Sequence, residues 1–287
     1  MVVFLHIVLW TLVIYVIVSI LLYYLQDYFF FKPEKLPASY QFIYENQEVD
    51  EYNLTTKDGA TINGLHFKTE NPKGVVLYLK GNSKSIRGWG KFAVDFTRHQ
   101  YDVIMVDYRG FGKSTGRRTQ ENIAADLQYV YNKIRERVSQ SYIILYGRSL
   151  GSGFATKLAS MNHPKMLILD APYYSLTQVA TRYMPFMPLS LIIKFPMPTY
   201  KWIKEVGCPI HIIHGTQDGL IPFKSSVKLS KIRPKMTRLW PVVGGGHKNL
   251  NTFESYHHIL NDIIHYKKAA IDLNTTSHPK KSITDAK

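Results

Sequence analysis

The run Tyr142-Ile143-Ile144-Leu145-Tyr146-Gly147-Arg148-Ser149-Leu150-Gly151-Ser152-Gly153 constrains the fold more than any other stretch of the chain. It is a short apolar segment, a G-x-S-x-G turn, and then small residues that open a helix. A strand that turns this sharply into a helix tolerates little bulk beside the turn, which accounts for Gly147 and Gly151. The serine at the apex is then held in a strained backbone with its hydroxyl exposed. The helix N-terminus behind it offers backbone N–H groups to a developing negative charge. Glycine and serine also make tight connections that do no chemistry, so the rest of the chain decides between the two readings.

From residue 48 onward, strand-like and helix-like segments alternate. Residues 52–56 and 61–68, joined at Asp58-Gly59, have the pattern of an antiparallel hairpin. Apolar runs at 74–79, 103–106, 166–169, 210–213 and 237–243 read as strands, and 90–99, 121–137 and 252–266 as helices. Ile123, Leu127, Val130 and Ile134 form one apolar stripe on the second of these helices. Such alternation predicts an α/β fold, a mostly parallel central sheet with helices on both faces. The domain is expected over 48–271, and the polar, aperiodic residues 272–287 read as a disordered tail.

Residues 2–25 contain no charged side chain and are interrupted only by His6, Thr11 and Ser19 among polar residues. One helix across a hydrocarbon core needs ~20 such residues. No Lys or Arg leads the run and no A-x-A-like site follows it, against a cleaved signal; no polar face marks it as a core helix. The prediction is a single transmembrane anchor, with Tyr23, Tyr24, Tyr28 and Phe29 to Phe31 as an interfacial belt ending at residue 31. Residues 32–47, opening with Lys32-Pro33-Glu34-Lys35-Leu36-Pro37, read as a short stiff linker. Lys32 and Lys35 follow the span with nothing basic but the amino terminus before it, which puts the domain on the cytoplasmic side.

The 36 Lys+Arg against 21 Asp+Glu give a net charge of +15, which favours anionic partners. The basic residues are scattered, with no Lys/Arg block, zinc pattern or RNA-binding aromatic motif. An anionic membrane surface is therefore preferred to nucleic acid as the partner. Cys208 is the single cysteine and cannot close an internal disulfide.

A nucleophilic Ser149 needs a base, and the base an orienting acid. Reactive groups in this architecture sit in loops beyond the C-terminal ends of strands. Those loops offer Asp170, Asp218 and His247 after Ser149. Ser149, Asp218, His247 is the Ser…Asp…His chain order of one hydrolase class. Gly244-Gly245-Gly246 suits a loop that brings an imidazole over the sheet edge. His214, at a strand end, reads as a packing residue, and His257 and His258 as surface residues of the last helix. The dense motif from Asp107 to Ser114 does not match a phosphate-cradling loop and reads as a structural turn and pocket wall. Asp126 and Glu136 read as surface or linking charges, and Cys208 as buried.

On these residues the sequence resembles an α/β-hydrolase-fold serine hydrolase. It is most similar to the membrane-anchored branch with a Gly-Asn oxyanion loop, which includes lipid hydrolases and protein depalmitoylases. The resemblance runs from the hairpin near Thr56 to the last helix, through Gly81-Asn82, Asp107 to Ser114, Gly147 to Gly151, Asp218 and His247. It implies Ser149 as nucleophile, His247 as general base and Asp218 as the residue orienting it. The backbone N–H groups of Asn82 and Leu150 become the oxyanion donors, and no metal or organic cofactor is implied. Many relatives have His-Gly before the oxyanion residue where this chain has Lys80, a change expected to alter loop packing more than mechanism. Asp170 stands where some relatives have Glu, and in some hydrolases that strand end supplies the acid; Asp218 is preferred.

Residues 173–206 are rich in Met, Pro and aromatics, as in Met184-Pro185-Phe186-Met187-Pro188-Leu189. They read either as a cap lining an acyl site or as ordinary packing of a connecting segment. Lys194, Lys201 and Lys204 there are positioned in sequence to meet anionic headgroups. The expected activity is membrane-anchored hydrolysis of ester or thioester bonds of an apolar, small-molecule or lipid-linked acyl substrate. A serine peptidase of the same fold and a catalytically idle membrane-linked scaffold are the alternatives.

Overall fold

The computed structural model describes residues 1–265, so the expected tail at 272–287 and the end of the last predicted helix lie outside the described residues. Among these residues, eight strands form one sheet: β1 (Glu48–Thr55), β2 (Thr61–Lys68), β3 (Val75–Leu79), β4 (Asp102–Val106), β5 (Ile143–Arg148), β6 (Met166–Asp170), β7 (Ile210–Gly215) and β8 (Thr237–Val242). Their order is β1-β2-β4-β3-β5-β6-β7-β8. β1 and β2 form the expected hairpin, β2 is antiparallel to β4, and β4 to β8 with β3 run parallel.

Side chains alternate across the sheet, and both faces are covered. Leu77, Ile143, Leu145, Leu167 and Ile212 face one core, together with Ile123, Leu127, Val130 and Ile134 of the helix Gln120–Arg135. Val76, Ile144, Tyr146, Ile168 and Ile213 face the other, where Leu260 and Ile263 of the helix Glu254–Ile264 pack. Strands buried on both faces read as continuous apolar runs, and for that reason they were legible without a period-two pattern. The predicted helix over 90–99 is instead three short turns, Ile86–Trp89, Gly90–Ala93 and Val94–Thr97.

The N-terminal residues Val2–Phe30 form one continuous apolar helix, long enough to cross a membrane. Its end departs from the expected belt and linker. Phe31 is buried against Phe111 and Phe195, and Lys32 and Lys35 bridge to Ser83 and Gly112. Residues 32–35 therefore run along the domain and do not stand off as a spacer, because burying Phe31 draws the chain onto the core. Of the surface and linking roles open to Asp126, the structure shows the linking one: it is buried and takes two hydrogen bonds from Arg109 at 2.7 and 2.8 Å. Glu136 is exposed and pairs with Lys133.

Candidate active site

Parallel strands deliver their following loops to one edge of the sheet. β3 lies beside β5, with Leu79 opposite Gly147, so the loop after β3 meets the turn after β5. Their approach is close: a Cβ on Gly151 would lie 2.0 Å from the Leu79 carbonyl oxygen, and one on Gly147 2.5 Å from that of Gly151. Only glycine fits at either position. Ser149, between them, has φ 50° and ψ −117°, a left-handed conformation that a non-glycine residue rarely adopts. It is held there by its N–H donating to Asp170 O over 2.8 Å and its carbonyl accepting from Ser152 N over 2.9 Å. The helix Leu150–Ala159 starts immediately behind it.

At the other end of the sheet, β7 pairs with β8, and the loops after them touch. Gln217 N donates to Gly245 O over 2.9 Å, and a Cβ on Gly215 would stand 2.2 Å from the same oxygen. This contact brings His247 over the sheet edge to Ser149. His247 Nε2 lies 2.9 Å from Ser149 Oγ, and its Nδ1 lies 2.7 Å from Asp218 Oδ2. A carboxylate only accepts, so Nδ1 carries the proton and Nε2 is left to accept the serine hydroxyl hydrogen.

Asp218 has more partners than the histidine it faces. Its Oδ1 accepts from Leu220 N and Ile221 N at 2.9 and 2.8 Å. Its Oδ2 also accepts from His214 Nε2 at 3.1 Å. That nitrogen is 3.0 Å from the Ile221 carbonyl as well, so it faces two acceptors and must carry the hydrogen, while Nδ1 accepts from Ser226 Oγ at 2.6 Å. Burial alone would raise the Asp218 carboxyl, but the hydrogen bonds from His214 and His247 and the Ile221 N–H outweigh it. The carboxyl is held well below the usual carboxylate range. His214, read from the sequence as a packing residue, is buried and belongs to this network; its position four residues before Asp218 was the available signal.

Asp170 is placed elsewhere. Its Oδ2 accepts from Tyr146 Oη at 2.5 Å and lies 3.6 Å from Arg148 Nε, beneath the sheet edge and fully buried. The hydrogen bonds of His247 run to Asp218 and Ser149.

Asn82 and Leu150 line the same cavity as Ser149. The loop carrying Asn82 rests on a buried pair below it: Lys80 Nζ lies 3.4 Å from Asp107 Oδ1 and donates to Lys84 O over 3.0 Å. Burial brings the Lys80 ammonium down to about 8, with Asp107 pulling the other way. Burial likewise raises Asp107 to about 6, against the pull of Lys80 and of the Ile86 N–H. Lys80 is thus a packing element of the loop. The stretch from Asp107 to Ser114 supports the loop from below and does not line the cavity.

Ser149 stands between two hollows. One, about 270 Å³, is apolar, and no charged side chain lines it. Its walls are Leu176, Met184, Leu189 and Ile192 on one side and Leu22, Phe29 and Phe30 of the N-terminal helix on the other. The second, about 250 Å³, carries Lys84, Lys91, Arg148, His247 and Lys248. Residues 173–206 thus supply apolar walls of this cavity through the helices Leu176–Tyr183 and Leu189–Ile192. Gln26, missed from sequence, is buried and lines the apolar cavity; a lone amide at the end of an apolar helix was its signal. Among the described residues, no group of three or more His, Cys, Asp or Glu side chains is arranged to hold a metal ion.

Residues 70–204 match the family described as serine aminopeptidase, S33. The chain is 29% identical over 230 residues to alpha/beta hydrolase domain-containing protein 17C of Xenopus tropicalis, covering 78% of this chain and 72% of that one. It is 26% identical over 207 residues to lysophosphatidylserine lipase ABHD12 of Danio rerio, covering 63% and 51% of the two chains. An esterase from Pyrococcus furiosus superposes with a TM-score of 0.66 at 17% identity, over 83% of this chain and 98% of that one, a likeness of fold.

Proposed function

We propose that this chain, which has the α/β-hydrolase fold, is a membrane-anchored serine hydrolase cleaving ester or thioester bonds of apolar acyl substrates. The observation that carries this is the continuous chain Ser149 Oγ, His247 Nε2, His247 Nδ1, Asp218 Oδ2, opening on an apolar cavity. His247 takes the hydroxyl proton as Ser149 Oγ attacks the carbonyl carbon. The oxyanion is held by the backbone N–H groups of Asn82 and Leu150. His247 then returns the proton to the leaving alcohol or thiol, and a water activated by the same imidazole releases the acid and restores Ser149. The acyl group occupies the apolar cavity, and the leaving group the basic hollow beside His247.

A peptidase of the same chemistry is the second reading, favoured by the description of the matching family. An aminopeptidase needs a carboxylate to hold the substrate's amino group, and neither hollow beside Ser149 is lined by an Asp or Glu side chain. That difference favours the acyl ester. The test is fluorophosphonate labelling together with nitrophenyl-ester hydrolysis by the full chain in detergent. Both are expected in the native protein, and both are expected to vanish in Ser149→Ala. Hydrolysis undiminished in that variant overturns the reading, and absence of labelling in the native protein supports an idle scaffold.

A further inference from the structure

We infer that the cap segment 184–193 lies within the lipid beside the N-terminal helix, and that the acyl cavity between them opens into the membrane. The inference rests on the reading of Val2–Phe30 as a membrane anchor and of Ser149 as the nucleophile. The cap is fastened to the helix at two levels. Gln26 Nε2 donates to Ile192 O over 3.0 Å while its Oε1 accepts from Lys194 N over 2.7 Å. Three helical turns earlier, Tyr15 Oη donates to Phe186 O over 3.1 Å. Eleven residues of helix separate the two contacts, about 16 Å at 1.5 Å per residue. That is roughly the depth of one leaflet of a ~30 Å hydrocarbon core. If the helix crosses a membrane, the segment that touches it at both levels is carried into the same leaflet.

The segment is built for that environment. It has no charged side chain, and Ser190 is its one hydroxyl. Phe186 and Leu191 are 87% and 85% exposed, turned away from the domain. Irregular backbone is tolerated in lipid only when its polar groups find partners. Here five of the eight backbone N–H groups, those of Met184, Met187, Leu189, Leu191 and Ile193, donate to carbonyls of 180–189, and Pro185 and Pro188 have none to satisfy. Lys194 ends the segment, its Nζ 4.4 Å from the centre of the Tyr23 ring, a basic and aromatic pair suited to the interface. Leu22, Phe29 and Phe30 of the helix and Leu189, Ile192 and Ile193 of the cap then enclose a passage from lipid to Ser149. A bilayer-resident acyl chain enters along it without leaving the apolar phase.

The experiment places an environment-sensitive nitrobenzoxadiazole dye on the full chain in lipid nanodiscs, in a Cys208→Ser background. Single variants carry it at Phe186→Cys, at Val8→Cys on the helix and at Lys133→Cys on the exposed face of the domain. Lipids with a doxyl quencher on the acyl chain are expected to quench positions 186 and 8 alike, and iodide in water only position 133. Quenching at 8 but not at 186 overturns the inference while leaving the anchor intact; quenching at neither overturns both. This measurement is independent of Ser149, so loss of the hydrolase reading alone leaves it standing. For acyl entry, Phe186→Asp with Leu191→Asp is expected to lower the ratio of long-chain ester turnover in nanodiscs to soluble acetate-ester turnover at least tenfold. An unchanged ratio overturns that route.

Discussion

The side-chain amide of Asn82 donates to the carbonyl oxygen of Phe30 over 3.0 Å, fastening the loop beside Ser149 to the last turn of the apolar helix. Lys32 N to Asn82 O at 2.8 Å and Lys84 N to Lys32 O at 3.0 Å complete the join. Asn82→Ala keeps the backbone N–H proposed to hold the oxyanion but removes its tether. A misplaced donor weakens transition-state binding more than substrate binding, so kcat is expected to fall about tenfold with KM little changed. Steady-state ester kinetics of the full chain checks this.

Asp218 and Asp170 give opposite expectations. Asp218→Asn leaves His247 without its acceptor, and kcat is expected to fall about 10³- to 10⁴-fold with a modest change in stability. Asp170→Asn leaves Arg148 buried without its counter-charge, and is expected to cost about 3–5 kcal/mol of stability. Kinetics and denaturant melts of the two variants, measured together, separate the roles.

His214→Phe removes one donor to Asp218 Oδ2 while roughly keeping the side-chain volume. A hydrogen bond to a charged group contributes about 1.5–3 kcal/mol, so a stability loss of that order is expected. Loss of this support for the carboxylate that orients His247 is expected to lower kcat about tenfold. Melting and turnover of one preparation measure both.

Lys80→Met strands Asp107 as a buried charge beneath the Asn82 loop. About 3–5 kcal/mol of destabilisation is expected, and Lys80→Met combined with Asp107→Leu is expected to recover most of it. A double-mutant cycle by urea melts reads the coupling.

The pH dependence of Asp218 has a definite sign. Its carboxyl is depressed in the folded protein below the ordinary 3.8, so its contribution to stability is full above about pH 4 to 5. The contribution is lost as the pH falls from there through the folded value. Native protein is therefore expected to lose more stability than Asp218→Asn between pH 6 and pH 3. Matched urea melts at the two pH values measure the difference.

The architecture and the residues nominated for chemistry were legible because each left a local mark. Buried parallel strands are continuous apolar runs, and a strand-to-helix turn without room for Cβ demands Gly147 and Gly151. Their chain order also confined Ser149, Asp218 and His247 to loops at one sheet edge. His214 was read only as a packing residue and Gln26 was missed, because their hydrogen-bond partners are four and 166 residues away. A charged or polar side chain in sequence carries no sign of whether such a partner awaits it in the interior.

The sequence by itself determined the α/β alternation, the apolar helix and the turn at Ser149, since those follow from periodicity, steric room and backbone geometry within a few residues. Only the tertiary structure decided that His247 bonds to Asp218 and not Asp170. That choice depends on the touching of the loops after β7 and β8. Only it decided that the apolar helix forms a wall of the cavity beside Ser149, through Gln26 and Asn82. Both outcomes come from contacts between segments far apart in the chain, and such contacts are fixed by packing the whole core, not by any local pattern.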